Sequence, residues 1–551
     1  MTTIYASHAG ASADYYAKYL TQAPGEVAGV WTGKQADTFG LAGDVTHEDL
    51  LTLLEGRDPV SGTQLGRRFS DREMKNSKDV EKAVAGFDAT FSAPKSISVL
   101  WSLTQDEQFL EAHDIAVSAA LAHLERFGST TRVRAGKGVR LHPDSGGLIM
   151  TKFGQTTSRA DDPDLHTHCV ISNKVRTADG RWMALDDKYM KEFQRMLGGI
   201  YQSVIRNEIA HRFGFEWEPI VNGQAEIAGI PKDVLRTFSK RTIQMEVALQ
   251  PKLDEFIEVE GRDPSEWEVA KMTREAVIDT RRKKPGAGVA DLTTRWVGEA
   301  SDLGWSGRDL LDEARRFAAS VGPEQRVDPL TASDVINHMS SKGSAWNRAD
   351  IMKAVCDLKR PVASQDGERW AATLERVCDL VMQECIELDP IPNDGPRRSS
   401  DGRSLVAPPV SRHITSERIL AEEDFIISWA IEAQADEPMP SASVDVDGLD
   451  VMQAEVARAV AGYDRLVLAV GPAGAGKTTT LRTAVAGLNR DFRWVFGVAP
   501  SAKAAHVLKR ETGLQADTLA KLLHEWERTD RGPLAEYNLP PGSTVIVDES
   551  G

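Results

Sequence analysis

The stretch SRADDPDLHTHCVISN, residues 158–173, places His166 and His168 two apart in a run that otherwise reads as a strand. Side chains at i and i+2 of a strand leave the same face of a sheet, so both imidazoles converge on one region. That makes the pair candidate metal ligands, and the remaining donors have to come from elsewhere in the chain. Just upstream, LIMTKFGQTTSR (148–159) reads as another strand, with LHTHCVISNKV (165–175) its hairpin partner or near neighbour across the polar ADDPD. Downstream, DDKYMKEFQRMLGGIYQSVIRNEIAHRFG (186–214) carries Tyr189, Phe193, Met196, Leu197, Ile200, Tyr201 and Val204 at helical spacing and closes on a glycine. TFSAPKSISVLWSL (90–103) supplies a strand-like entry, a turn at Pro94 and an apolar run from Ile97.

The bulk numbers are those of ordinary globular material. The chain has 551 residues, 41% hydrophobic and 27% charged, too long for one core. No apolar run approaches the ~18 residues of a membrane span, and the N-terminus lacks the layout of a signal peptide. The expected location is the cytoplasm. Cys169, Cys356, Cys378 and Cys385 have no zinc-type pairing and fit a reducing compartment. A formal net charge of −16 argues against non-specific coating of DNA, while a local basic groove remains compatible with it. One basic cluster stands out, Arg281 to Lys284.

Composition divides the chain. Residues 1–250 mix short β-rich runs with amphipathic helices, and 251–388 are helical. The segment 389–404, DPIPNDGPRRSSDGRS, reads as a linker, and 405–450 as a helical lead-in to a strand–loop–helix module at 451–551. In that module GPAGAGKT, Gly471, Pro472, Ala473, Gly474, Ala475, Gly476, Lys477 and Thr478, fits the phosphate-binding loop in full, behind the apolar RLVLAV (465–470) and ahead of a helix. Its glycines let backbone N–H groups curl around phosphate oxygens, Lys477 reaches the outer phosphates, and Thr478 offers its hydroxyl to Mg²⁺. TVIVDE (544–549) brings Asp548 to the Mg²⁺ shell and Glu549 to the attacking water. Between them, Ser501 and Lys503 are candidates for contact with DNA or for coupling to the nucleotide. The implied cofactor is ATP with Mg²⁺. The motor looks incomplete, because a helicase needs a second domain to close on the strand, so strand separation by this chain alone is not expected.

Around the histidine pair the chain offers ASADYYAKYL (11–20), with Tyr15, Tyr16 and Tyr19; GFDATFSAPKS (86–96), with Asp88, Ser92 and Lys95; and Gln155. A tyrosine, a metal held by imidazoles and a carboxylate behind one imidazole form a coherent set for cutting a phosphodiester by covalent attack.

GFDATFSAPKSISVLW, TSRADDPDLHTHCVISN and FSKRTIQME together resemble the blocks of conjugative relaxases of the TrwC/TraI (MobF) type, in which a tyrosine relaxase is fused to a superfamily 1 helicase. The resemblance covers roughly residues 1–250 and 405–551. It implies an α/β fold: an HUH-type relaxase domain with a central antiparallel sheet, a helical middle region, and a partial P-loop NTPase (RecA-like) domain that ends after the Walker B strand. It further implies a site- and strand-specific nickase that forms a 5′-phosphotyrosyl link at an origin of transfer. The implied partners are single-stranded origin DNA, relaxosome accessory proteins and a coupling protein.

Carried over by position, His166 and His168 correspond to the metal-binding pair, Asp88 to the carboxylate that orients or activates a histidine, and Arg159 to the arginine of an SR pair facing phosphate. Tyr15 and Tyr16 are the nucleophile candidates. Gln155 stands where the family has a third histidine, and a neutral oxygen donor there shifts preference toward Mg²⁺ or Mn²⁺. The alternative is an ATP-binding, DNA-binding descendant of a relaxase with weakened or lost nicking; a third reading is a non-enzymatic adaptor that marks origin DNA.

Overall fold

A computed structural model describes residues 2–9, 11–21, 28–73, 80–135, 140–186, 190–260, 264–280, 289–321, 330–388, 396–397, 404–406, 414–435, 437–472, 475–529 and 531–548. Two compact units result, Met1–Glu417 and Arg418–Gly551.

The first unit is built on strands β1 (Thr2–His8), β2 (Gly29–Thr32), β3 (Asp44–Val45), β4 (Val84–Ser92), β5 (Met150–Thr157) and β6 (Pro163–Ser172). They form a six-stranded sheet in the order β1-β4-β6-β5-β2-β3, and every ladder in it is antiparallel. LIMTKFGQTTSR and LHTHCVISN supply the neighbouring strands β5 and β6, with the polar turn between them.

Period-two alternation sorts the central strands into two faces. On one face, Ala13, Ala17 and Leu20 of helix α1 (Ala11–Thr21) and Leu50 and Leu54 of α2 (His47–Leu54) pack on Phe153 and Val170. Ala13 and Ala17 are one turn apart and wholly buried, so α1 lies close against the sheet. Helix α3 (Lys95–Thr104) follows β4 at Pro94. Its N-terminal donors go to the Glu226 carboxylate, which accepts from Lys95 N at 3.2 Å and from Ser96 N and Oγ at 2.7 and 2.6 Å.

Helices α4 (Gln108–Gly128) and α5 (Met190–Phe213) cover the other face, where the Tyr201 ring lies 5.4 Å from Phe91. His113 of α4 spans the layers, with Nδ1 2.7 Å from the Tyr201 hydroxyl and Nε2 2.8 Å from Thr167 Oγ1. Helices α6 (Lys240–Glu260), α7 (Val289–Asp302), α8 (Arg348–Leu358) and α9 (Gly367–Gln383) follow. The last two are tied to α5 by buried polar bonds. Trp370 Nε1 donates to Ser203 Oγ at 3.1 Å, and Arg206 to the Cys356 carbonyl at 2.9 Å. Arg281 to Lys284 lie outside the described residues. Of the segment read as a linker, only 396, 397 and 404 are described, and Arg397 bridges Ser404.

In the second unit, α10 (Val451–Val460) precedes α11 (Lys477–Arg490), β7 (Val495–Ala499), α12 (Ala502–Thr512), β8 (Gln515–Thr518), α13 (Leu519–Glu527) and β9 (Thr544–Val547). The strands form a parallel sheet, β8-β7-β9. One expectation fails here. Among the described residues RLVLAV joins no ladder, and Val470 is fully exposed with Leu468 69% exposed. An extended segment becomes a strand only where a neighbour takes its N–H and C=O groups, and β8-β7-β9 places none beside 465–470.

Burial holds His113 down at about 4 in the folded chain against an ordinary 6.5. A depressed histidine stabilises the fold above its unfolded value and loses that contribution as pH falls through the folded one. Between pH 7 and pH 4 the shift from 6.5 to about 4 corresponds to a loss of about 3 kcal/mol. Urea unfolding at the two pH values should show this loss, and His113→Gln should remove most of the difference; an unchanged difference would contradict the assignment.

Candidate functional site

The register of the central strands assembles the predicted site. Across β4 and β6, His166 pairs with Ser92, His168 with Thr90 and Val170 with Asp88; across β5 and β6, Gln155 pairs with His166. Directly paired residues share a face. Asp88, Thr90, Gln155, His166 and His168 therefore all lie on the face that carries α1. The rings of His166 and His168 are 5.4 Å apart.

His168 Nδ1 lies 2.9 Å from Asp88 Oδ2 and 3.1 Å from Thr90 Oγ1. The carboxylate can only accept, so Nδ1 carries the proton in the neutral ring and the Nε2 lone pair is the metal-binding one. His166 Nδ1 is 2.8 Å from the Asp164 carbonyl, which fixes the same tautomer. Thr90 is a site residue that the sequence reading missed. Its signal was present, since it follows Asp88 by two in an alternating strand.

The tyrosines of α1 separate into distinct environments. Tyr19 sets its ring edge-on to His168 at 6.0 Å, and the Arg159 guanidinium sits 5.5 Å from the same ring. The Tyr16 hydroxyl is buried, with no partner at hydrogen-bonding geometry among the described residues, and it lies near the Asp88 carboxylate. Burial first, and then the neighbouring Asp88 carboxylate, hold its phenol well above the ordinary tyrosine range. Tyr15 is 71% exposed.

The residues present fit a divalent cation with a limited protein donor set. Two imidazoles with fixed tautomers, and an amide side chain paired opposite one of them, offer two nitrogens and a neutral oxygen. Among the described residues no group of three His, Cys, Asp or Glu converges for metal binding.

In the second unit, α11 begins at Lys477 after Gly476, which sits in the left-handed region at φ 72°. A Cβ on Gly476 would stand 2.6 Å from Gln453 Nε2. That amide donates to the Ala475 carbonyl at 3.0 Å, so α10 buttresses the loop, a contact unseen in the sequence reading. The Lys477 chain runs over Gly471, whose added Cβ would lie 3.4 Å from Lys477 Cγ. Pro472 is exposed and Thr478 half-buried. Asp548 follows β9 and donates its N–H to Val498 O at 3.0 Å, which places it at the carboxyl end of the sheet. Ala473, Gly474 and Glu549 lie outside the described residues. Ser501 caps α12, accepting from Ala504 N at 3.2 Å, and Lys503 is exposed on its first turn.

Comparison with known proteins covers both units. The TrwC relaxase profile matches residues 2–303, and an AAA domain profile matches 448–551. The multifunctional conjugation protein TraI of Escherichia coli is 31% identical over 374 residues, 64% of this chain and 19% of that protein. The conjugal transfer protein TraA of Rhizobium radiobacter is 42% identical over 92 residues, 17% of this chain and 8% of that protein. The chain thus spans about a fifth or less of the length of these curated relatives. A metal-bound structure of the conjugative relaxase TrwC in complex with oriT DNA is 28% identical, covering 56% of this chain and all of that one, with a TM-score of 0.47. Among the described residues no helix is long and apolar enough to cross a membrane. The profile match spans more than half of the chain and contains the histidine pair, Asp88, Arg159 and the tyrosine helix; this protein belongs to the TrwC/TraI (MobF) relaxase family, with a helicase-like C-terminal region, and membership implies dependence on a metal ion and on ATP.

Proposed function

We propose that this chain is a metal-dependent tyrosine nickase that cuts one DNA strand at an origin of transfer and remains joined to the new 5′ phosphate. The observation that carries the reading is the Asp88–His168 bond beside His166, facing the tyrosine helix. We further propose Tyr15 as the nucleophile. Residues four apart share a helix face, so Tyr15 stands on the side where Tyr19 meets His168, and its exposure leaves it accessible to a strand. Tyr16 is poorly suited, since its hydroxyl is shut away and its phenolate disfavoured.

In the reaction, Tyr15 Oη bonds to phosphorus as the P–O3′ bond breaks. The phenolic proton is lost and the departing 3′ oxygen takes one up. Arg159 faces the phosphate, and Asp88 holds His168 in its tautomer. Mg²⁺ or Mn²⁺ on His166, His168 and Gln155 would draw charge from the nonbridging oxygens. In the second unit, Gly471 to Thr478 would cradle ATP, and Thr478 and Asp548 would hold its Mg²⁺. On this reading the relaxase module is residues 1–250, with the helical extension 251–388 docked on it and a linker at 389–404. The lead-in is 405–450 and the nucleotide module 451–551. Its partners are origin DNA, accessory proteins of the origin complex and a coupling protein. Gln155 alone favours the second reading, a descendant that binds DNA and ATP with weakened nicking.

Incubation with single-stranded origin oligonucleotides and Mn²⁺ should give a covalent adduct that peptide mapping places on Tyr15 and that Tyr15→Phe abolishes. Mapping to Tyr16 or Tyr19 would reassign the nucleophile, and an adduct beyond residue 30 would sink the tyrosine-helix assignment.

Calorimetric titration with Mn²⁺ tests the donor set. Asp88→Asn should weaken binding by about 10- to 100-fold, as loss of an outer-shell partner typically does. His166→Ala should cost more than Gln155→Ala, and Gln155→His should tighten binding. Equal affinity in all four variants and wild type would make the histidine pair structural.

Lys477→Ala should abolish ATP binding measured with a fluorescent analogue while leaving the adduct yield unchanged, because the two sites belong to separate units. Loss of both would refute that independence.

A further inference from the structure

The turn joining β5 to β6 is closed on itself. Ser158 N donates to Asp162 O at 2.9 Å and Asp161 N to Ser158 O at 3.1 Å, with Arg159 inside the loop. Asp161 holds φ 58°, a left-handed conformation uncommon for a residue with a side chain. Such a conformation persists where surrounding contacts enforce it.

Here those contacts come from α7, more than 130 residues downstream. Trp296 Nε1 donates to the Asp161 carbonyl at 2.7 Å and Arg295 Nη2 to the same oxygen at 2.6 Å. Both lone pairs of that carbonyl are thereby taken. Arg295 Nη1 also reaches Asp161 Oδ2 at 3.4 Å. Beside this, Lys240 of α6 lies 3.2 Å from the buried Asp162 carboxylate and 2.6 Å from Glu299 of α7. The Trp296 ring is wholly buried, 6.3 Å from Trp101 of α3, so its N–H is aimed by packing. The tip that α7 grips is the one from which Arg159 reaches back to the Tyr19 ring at 5.5 Å, with His168 on that ring's other contact.

We propose that α7 is a positioning element of the nicking site: Trp296 and Arg295 fix the Asp161 carbonyl, and so hold Arg159 where a bound phosphate meets it. This rests on the relaxase reading above. In this role each acts through the turn, by its bond to the Asp161 carbonyl. The reach of the active-site module therefore extends past residue 250.

Trp296→Phe separates positioning from folding, because it removes the N–H donor, keeps a ring against Trp101 and changes no charge. Binding of a fluorescent single-stranded origin oligonucleotide is read by anisotropy over a range of salt concentrations, with thermal unfolding alongside. Arg159→Ala should weaken binding about tenfold, as for a charged hydrogen bond, and should lower the salt slope by about 0.7, the contribution of one phosphate contact on a single strand. Trp296→Phe should reproduce the slope change with an unfolding midpoint near wild type, and combining it with Arg159→Ala should add little. An unchanged slope in Trp296→Phe, or losses that add in the double variant, would overturn the proposal. If wild type binds the oligonucleotide but forms no adduct, the nickase reading fails while the coupling between Trp296 and Arg159 is still decided by these binding curves.

Discussion

The hydrogen bond from His168 Nδ1 to Asp88 depends on the pairing of β6 with β4, in which Val170 faces Asp88 and His168 faces Thr90. A slip of one residue would turn every side chain of β6 to the opposite face, exchanging His166 and His168 for Leu165, Thr167 and Cys169. The register is protected by what lies on that opposite face. Thr167 bonds to His113, and Cys169 and Ile171 are wholly buried under α4 and α5. The apolar layer thus sets the geometry of the polar one. Moving the histidines would place two polar rings in the core and leave His113 with an unmade bond, each a cost on the order of 1–3 kcal/mol.

The two faces also differ in solvation, and this sorts their ionisable groups. His113 is kept neutral by burial and serves as a layer-to-layer strut. His168 is held by a carboxylate that still has solvent contact, with its side chain 14% exposed and that of Asp88 10%. Tyr16 stands between these regimes, its ring on α1 and its hydroxyl enclosed, and the same Asp88 charge that holds His168 opposes a phenolate there. One carboxylate thus fixes the imidazole of His168 and disfavours ionisation of Tyr16.

What could be read from the sequence follows from how local each signal is. The pairing of β5 with β6, the break at Pro94 and the helix ending at Gly214 rest on short-range periodicity and turn chemistry, and they stand in the structure, while the helix that follows Pro94 was read only as an apolar run. His166, His168 and Asp88 were legible because alternation places residues on faces and the family blocks place faces together. The strand expected at 465–470 failed because a strand is a relation between segments, and an apolar run does not state whether a neighbour exists. Glu226 capping α3, Gln453 under the phosphate loop and Trp296 on the 158–162 turn were beyond sequence reading for a related reason. Each joins positions distant along the chain, or separated by a loop, through one polar atom that leaves no periodic trace.

Gln155 carries the remaining chemical question. Imidazole ligands release metal as they protonate, so a site with several titrates cooperatively as pH falls through the histidine range. An amide has no such titration and brings no charge. With Gln155 paired to His166 and one carboxylate behind His168, the proposed centre keeps the net charge of an all-imidazole set while giving up nitrogen donor strength. That combination suits hard ions that retain water, and water-bearing positions are where nonbridging phosphate oxygens enter. In the proposed centre the amide would exchange tight retention of the ion for ready exchange of water by phosphate, and the proposed placement of phosphate by Arg159, with the rigidity of the turn that carries it, would then weigh more than beside three imidazoles.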